Sequence, residues 1–220
     1  MSKFFSLDSP FMRAMSRIAD LMILNLLFIF TSIPIFTIGA GFTALYTVCF
    51  RLGTDDEGNT AKDYFRAFKE NFKQSTLLWI LMLIVMATAF FNAALFYTMG
   101  GLFHLIWILA AALLVLAVFI CSYAFPLMSQ FESTGKQVFK NSLVLSIAYL
   151  PRSILMAALN ALPVALVLTQ VYVFLHVGFI WFTLYFASIA YLNSRLLKKV
   201  FAPFYDKDQE EYEEIQEDLP

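Results

Sequence analysis

Residues 21–50 read LMILNLLFIFTSIPIFTIGAGFTALYTVCF and contain no Asp, Glu, Lys or Arg. A single helix of this length would measure about 45 Å, whereas the hydrocarbon core of a bilayer is about 30 Å thick. Pro34 lies near the middle, where it lacks a backbone N–H and disfavours helix at Ile33. The stretch therefore predicts two short membrane segments, about 15–33 and 36–50, that form a hairpin broken near residues 32–35.

Two longer uncharged stretches follow, at residues 74–131 and 153–194. Each is long enough for two spans, because one spanning helix needs about 20 residues. A Gly-Gly pair at 100–101 divides the first stretch, and a Thr-Gln pair at 169–170 divides the second. The predicted segments are about 76–97, 103–128, 142–168 and 171–193. With the broken hairpin they give an all-α, polytopic transmembrane helical bundle of six membrane segments.

The basic residues predict the topology of this bundle. All fifteen Lys and Arg residues fall into four clusters that alternate with the uncharged stretches, and such residues concentrate in cytoplasmic loops. If residues 21–50 crossed once, the basic loop 51–73 would lie opposite the basic N-terminus, whereas a hairpin brings every cluster to one side. We therefore expect both termini in the cytoplasm.

Composition divides the chain into a single membrane-embedded helical domain, residues 1–204, and an acidic cytoplasmic tail, residues 205–220. The chain is 60% hydrophobic and 14% charged, far from the roughly 25% charged residues of a soluble domain. The tail holds eight of the sixteen Asp and Glu residues. A segment of that composition is solvated rather than packed.

An interfacial helix is predicted over about 61–74, just before the third segment. Thr60 and Asp63 have the spacing of a capping box, and phenylalanines then recur at helical spacing beside Lys and Arg residues. An amphipathic helix of this kind lies in the headgroup plane. The alternative is that its phenylalanines pack under neighbouring helices of the bundle.

The sequence offers little for catalysis. No ionisable side chain lies in the middle of a predicted span, and the two His and two Cys residues are far apart. Proton relays and ion paths use such intramembrane groups, and the spacings of metal sites and phosphate-binding loops are also absent. We therefore predict no enzyme activity, no cofactor, no metal and no nucleic acid partner, with the lipid bilayer as the surroundings of the chain.

Polar residues within the predicted spans have two interpretations. Asn92 and Asn160 can hydrogen-bond between helices and fix their rotation, or they can contribute amides to a ligand site. Arg152, next to Pro151, can reach the membrane interface or point inward at an anionic group. Helix packing and interfacial anchoring are the simpler interpretations.

A resemblance rests on five blocks in the first quarter of the chain. They are Ala19-Asp20-Leu21, Leu24-Asn25-Leu26-Leu27, Ser32-Ile33-Pro34, Thr37-Ile38-Gly39-Ala40 and Thr43-Ala44-Leu45-Tyr46. These blocks resemble the YesL-like family of bacterial integral membrane proteins. The molecular activity of that family is unestablished, but its members are commonly encoded beside carbohydrate-uptake and polysaccharide-degrading systems. The resemblance implies a multi-pass protein of the bacterial cytoplasmic membrane, with permease subunits of an ABC-type sugar importer as partners.

Asn25, Pro34, Thr37 and Gly39 in these blocks are the candidate functional or architectural centre. An interrupted membrane helix exposes backbone groups that transporters use to bind ligands, although the break could also do no more than turn the hairpin. Two functions follow. The first is a non-catalytic accessory or regulatory partner of a carbohydrate uptake system. The alternative is a small carrier or channel for a sugar or other small solute.

Overall fold

The computed structural model describes residues 10–54, 57–97, 101, 103–169, 172, 176 and 178–217, and all regular structure within them is helical. This confirms the predicted all-α class. The helices are α1 (Pro10–Thr31), α2 (Ile38–Arg51), α3 (Thr60–Tyr97), α4 (Phe103–Gln130), α5 (Gly135–Ala148), α6 (Leu150–Thr169), α7 (Gly178–Ile180) and α8 (Phe186–Glu217). A 3-10 turn at Ile35–Thr37 precedes α2, and a π-helical turn at Trp181–Tyr185 joins α7 to α8.

The first uncharged stretch forms a hairpin that breaks between Thr31 and Ile35. Pro34 has extended backbone angles, φ −75° and ψ 114°, so the helix of α1 cannot continue through it. α2 returns antiparallel to α1: the rings of Phe28 and Phe42 lie 4.7 Å apart near the break, and Arg17 lies beside Gly53 at the other end.

α2 is the centre of the bundle. Residues 39–41 and 43–50 are all buried, and α2 contacts α1, α3, α4 and α8. Small residues at 39–41 and 44 allow this close approach on several sides. At 14 residues, α2 measures only about 21 Å, so it is too short to cross a bilayer by itself.

α3 is one helix where the sequence suggested two elements, an interfacial helix and a span. It runs for 38 residues without Gly or Pro, about 57 Å, because nothing near Gln74 interrupts helix formation. Its start also differs from the expected capping box. Asn59 is the cap, its side-chain oxygen accepting the Lys62 N–H at 2.9 Å, and Asp63 instead pairs with Arg66 at 2.7 Å.

The α1–α2 hairpin reaches only the middle of α3. The Trp79 indole N–H donates to the Ile35 carbonyl at 2.8 Å, and Trp79 lies at the midpoint of α3. Beyond it, the second half of α3 pairs with the first half of α4, where Phe96 stacks on Phe103 at 5.6 Å. Among the described residues, the packing around α2 therefore covers one half of α3, and the α3–α4 pair continues beyond it.

The predicted segment 142–168 is two helices. α5 begins at Gly135 and ends at Ala148, and α6 leaves at an angle of 104°. Pro151 accounts for the bend, since it removes a backbone donor and clashes with the helical turn before it. Pro151 lies inside the segment 142–168 that was predicted as one continuous span, so this bend was not predicted.

Three of the described helices are long and apolar enough to cross a membrane: residues 11–31 of α1, α3 and α4. The bent α5–α6 pair adds a fourth crossing if it forms one span, and α2 is shorter than a span. Of the predicted segment 171–193, residues 171, 173–175 and 177 lie outside the described part of the chain. The acidic tail does not begin a new element, because α8 continues as helix through Glu217.

Candidate functional site

Asn25 joins α1 to the π-helical turn before α8. Its side chain is fully buried, its Nδ2 donates to the Phe182 carbonyl at 2.8 Å, and its Oδ1 accepts the Ala187 N–H at 3.0 Å. Phe182 and Ala187 are five residues apart, the spacing at which a π-helix pairs its own backbone groups. The amide of Asn25 bridges the two groups, and it thereby holds a helix 157 residues away in sequence.

The side chains of Thr37 and Trp79 donate hydrogen bonds to the backbone carbonyls that lose their helical partners at the hairpin break. The Thr37 hydroxyl lies 2.5 and 2.6 Å from the carbonyls of Thr31 and Pro34, and Trp79 reaches the carbonyl of Ile35. These carbonyls are therefore engaged within the protein rather than offered to a ligand. The Pro34 side chain is exposed and acts through its backbone.

Gly39 permits the closest approach of α2 to α3. A Cβ atom at this position would lie 2.5 Å from the Trp79 Cβ and 2.6 Å from the Ser75 carbonyl oxygen. Neither of these atoms can move away without moving α3. One turn on, the Thr43 and Ser75 hydroxyls meet at 2.9 Å and close the same interface with a hydrogen bond.

The other three candidate residues do not meet one another. Asn92 donates to the Thr88 carbonyl of its own helix at 2.8 Å. Asn160 lies at a cavity of about 50 Å³ between α2, α6 and α8. The Arg152 guanidinium lies 5.1 Å over the Tyr149 ring at the α5–α6 bend. Each has a local explanation, and together they form no site.

An open cavity of about 490 Å³, which we call the polar cleft, was not predicted from the sequence. It lies between the end of α2, the first half of α3 and the α4–α5 connection. Its lining is mostly polar or charged, with three apolar residues. The lining residues are Thr47, Arg51, Ala67, Glu70, Asn71, Gln74, Met128, Ser129, Gln130, Phe131, Glu132 and Ser133.

The charged groups of the polar cleft are available for binding. Arg51, Glu70 and Glu132 are exposed, and none of them forms an ion pair with another described residue. The amides give the rim its shape: Gln74 donates to the Ser133 carbonyl at 2.6 Å, and Gln130 accepts the Tyr205 hydroxyl at 2.9 Å. The arrangement can hold hydrogen-bonding and charged groups of both signs.

The signal for this cleft was present in the sequence but weak. Its charged residues are Arg51 at the end of α2, Glu70 in the first half of α3 and Glu132 in the α4–α5 connection, and each lies close to an end of an uncharged stretch. Their convergence depends on α3 continuing straight past α2, and the separate interfacial helix expected at 61–74 would have moved four of the twelve lining residues away.

Comparisons with known proteins lead to relatives of unknown function. Residues 21–93 match the family described as "Protein of unknown function, DUF624", a segment that runs from α1 through most of α3. The chain is a distant homologue of the uncharacterized protein YteU of Bacillus subtilis (strain 168), with 28% identity over 145 residues. That match covers 66% of this chain and 65% of YteU, and no solved structure matches the chain.

Proposed function

We propose that this chain is a non-catalytic binding partner in the bacterial cytoplasmic membrane, and that it contacts another protein through the polar cleft. The observation that carries the proposal is the packing of α2. The hairpin break could have opened a path through the membrane, but α2 is buried along almost its whole length and the carbonyls of Thr31, Pro34 and Ile35 are engaged. The role of the break is therefore to turn the hairpin.

The proposed topology places every basic cluster, both termini and the polar cleft in the cytoplasm. Arg51, Glu70 and Glu132 support this, since charged side chains are costly in hydrocarbon. α1 and α2 form a membrane hairpin that turns back near Trp79. The six predicted segments then comprise this hairpin, the α3–α4 pair, and a last pair formed by the bent α5–α6 and by α7–α8.

The polar cleft suits a polypeptide better than a small molecule. Its volume lies within the range of about 300–1,000 Å³ found for ligand pockets, but such pockets are lined mainly by apolar and aromatic side chains. Here only Ala67, Met128 and Phe131 are apolar. Interfaces between proteins accept a polar rim of this kind.

Permease subunits of an ABC-type sugar importer are the partners that we propose. This part of the proposal rests on the resemblance to the YesL-like family, because neither the DUF624 description nor the name of YteU mentions sugar uptake. An accessory or regulatory role needs no catalytic group, and the prediction that the protein is not an enzyme stays a prediction.

The carrier alternative has one feature in its favour, the cavity beside Asn160 and α2. At about 50 Å³ it has room for a few water molecules, since one water needs roughly 10–15 Å³ by this measure. Phe42, Tyr46 and Phe186 form much of its wall. A sugar would need the helices around it to separate, so we rank this alternative second.

Site-specific photo-cross-linking in native membranes tests the proposal. A photoreactive residue at Asn71, inside the polar cleft, is expected to give a discrete adduct that mass spectrometry identifies as a permease subunit. The matched control is Lys140, which is exposed on α5 away from the cleft and should give no such adduct. Absence of an adduct at Asn71, together with sugar flux in vesicles reconstituted with the pure protein, would favour the carrier.

A further inference from the structure

Two guanidinium groups from distant parts of the chain meet at the turn after α2. Gly53 has φ +74°, which a side chain would disfavour. A Cβ atom built on Gly53 would lie 2.8 Å from Arg17 Nη2 and 3.2 Å from Arg195 Nη2. These two nitrogens are therefore within about 6 Å of each other, at a position where only glycine leaves room for both.

Among the described residues, no carboxylate forms an ion pair with either arginine, and Asp55 and Asp56 lie outside the described part of the chain. The ion pair found in the described part joins Arg66 and Asp63 in the first two turns of α3. Two described carboxylates nearby accept hydrogen bonds from neutral groups: Asp20 accepts the Thr60 hydroxyl at 2.7 Å, and Glu57 accepts the Gly53 N–H at 3.0 Å. The Arg17 side chain is exposed and has no hydrogen-bond or ion-pair partner among the described residues.

The second arginine is held in place. Arg195 Nη2 donates to the Leu52 carbonyl at 3.1 Å and to the Tyr191 hydroxyl at 2.8 Å, and its guanidinium lies 5.0 Å over the Tyr191 ring. Lys198 follows one turn later on α8. Partial burial, and then the charge of Arg195, lowers the pKa of Lys198.

The arginine pair lies at the border between charged and apolar surface. Arg17 comes four residues before the uncharged stretch 21–50, and Arg195 directly follows the stretch 153–194. On the apolar side, the side chains of Ile23, Leu26 and Leu192 are 44%, 49% and 51% exposed. A ligand at this place would have its charged end between the guanidiniums and an apolar surface beside it.

We propose that Arg17 and Arg195 clamp the phosphate of an anionic phospholipid in the cytoplasmic leaflet. The guanidinium of Arg17 offers a planar fork of donors that fits phosphate oxygens bidentately, whereas Arg195, whose Nη2 donates to Leu52 and Tyr191, contributes its charge and its remaining donors. Basic pockets between membrane helices on the cytoplasmic side are suited to lipid headgroups. The site shares no residue with the polar cleft, so the bound lipid would fasten α1 to α8 whatever protein occupies the cleft.

Lipid titration of the purified protein tests this site. The full chain in neutral detergent micelles is titrated with dioleoyl phosphatidylglycerol, with dioleoyl phosphatidylcholine and with inorganic phosphate, and bound lipid is counted by native mass spectrometry. We expect phosphatidylglycerol alone to bind. Arg17→Gln should weaken its binding about fivefold and the Arg17→Gln/Arg195→Gln pair about twenty-five-fold, from about 1 kcal/mol per basic residue near a membrane surface.

Lys140→Gln is the matched control, because it removes one exposed positive charge from α5 and should leave binding unchanged. Arg17→Gln is the decisive variant, since the exposed Arg17 side chain has no hydrogen-bond partner among the described residues and its loss should not unfold the protein. Equal losses in Arg17→Gln and Lys140→Gln would overturn the site. Saturable binding of inorganic phosphate alone would overturn the assignment to a lipid.

Discussion

Asn25 has partners that the sequence cannot reveal. The residue was a candidate because it is an amide in an apolar stretch, and that much follows from composition alone. Its function depends on Phe182 and Ala187, which lie more than 150 positions away and are reached only when α1 packs against the π-helical turn. At the scale of single residues, a sequence therefore indicates which side chains need partners but not which partners they find.

Asn25→Leu should destabilise the protein by about 2–4 kcal/mol, because it leaves a buried N–H and a buried C=O without partners. Unfolding by SDS titration from mild micelles, followed by helical circular dichroism, measures the loss. Asn92→Leu is the matched control: its amide bonds only within its own helix, and its effect should stay below about 1 kcal/mol. Equal effects of the two substitutions would contradict the bridging role of Asn25.

Gly39→Ala should destabilise the fold by about 1–3 kcal/mol, the usual range for overpacking. The added methyl group would collide with the Trp79 Cβ and the Ser75 carbonyl, both fixed on α3. Gly135→Ala provides the comparison, since a Cβ at Gly135 meets no atom within 4 Å. Thermal unfolding in micelles should show a lower midpoint for Gly39→Ala and an unchanged or slightly higher one for Gly135→Ala.

α3 shows what the sequence predicts at the scale of helices. Hydropathy located its apolar half correctly, and the change from charged to apolar residues near Gln74 was interpreted as a boundary between two elements. That change marks where α3 leaves the polar surface. Whether a helix continues depends instead on helix-breaking Gly and Pro residues, and there are none between Thr60 and Tyr97. The bend at Pro151 is the converse case, in which uniform hydropathy concealed a break.

The continuity of α3 can be measured as a distance. Spin labels at Lys62 and Phe91, both exposed, should be about 44 Å apart, because 29 residues separate them at about 1.5 Å each. A helix lying in the membrane plane up to residue 75 and then turning through a right angle would bring them to about 30 Å. Double electron–electron resonance in nanodiscs distinguishes the two distances.

The whole molecule combines a packed centre with a polar end. Charge clustering predicted which ends of the helices lie together, and the structure brings Arg51 to Glu70 and Glu132, and Arg17 to Arg195, in agreement with that grouping. The depth of the first hairpin could not be predicted, because it depends on where Trp79 meets Ile35. Charge patterning tells on which side a segment ends, and packing decides how far it reaches.

The side of the membrane on which these charges lie is the central claim, and cysteine labelling tests it most directly. A membrane-impermeant maleimide is added to intact cells that carry one of two variants. Asn59→Cys lies beside the polar end, and His104→Cys lies at the exposed start of α4. The unsubstituted chain measures the background labelling of Cys49 and Cys121. The account predicts labelling of His104→Cys in intact cells and of Asn59→Cys only after the membrane is permeabilised. Labelling of Asn59→Cys in intact cells would contradict it.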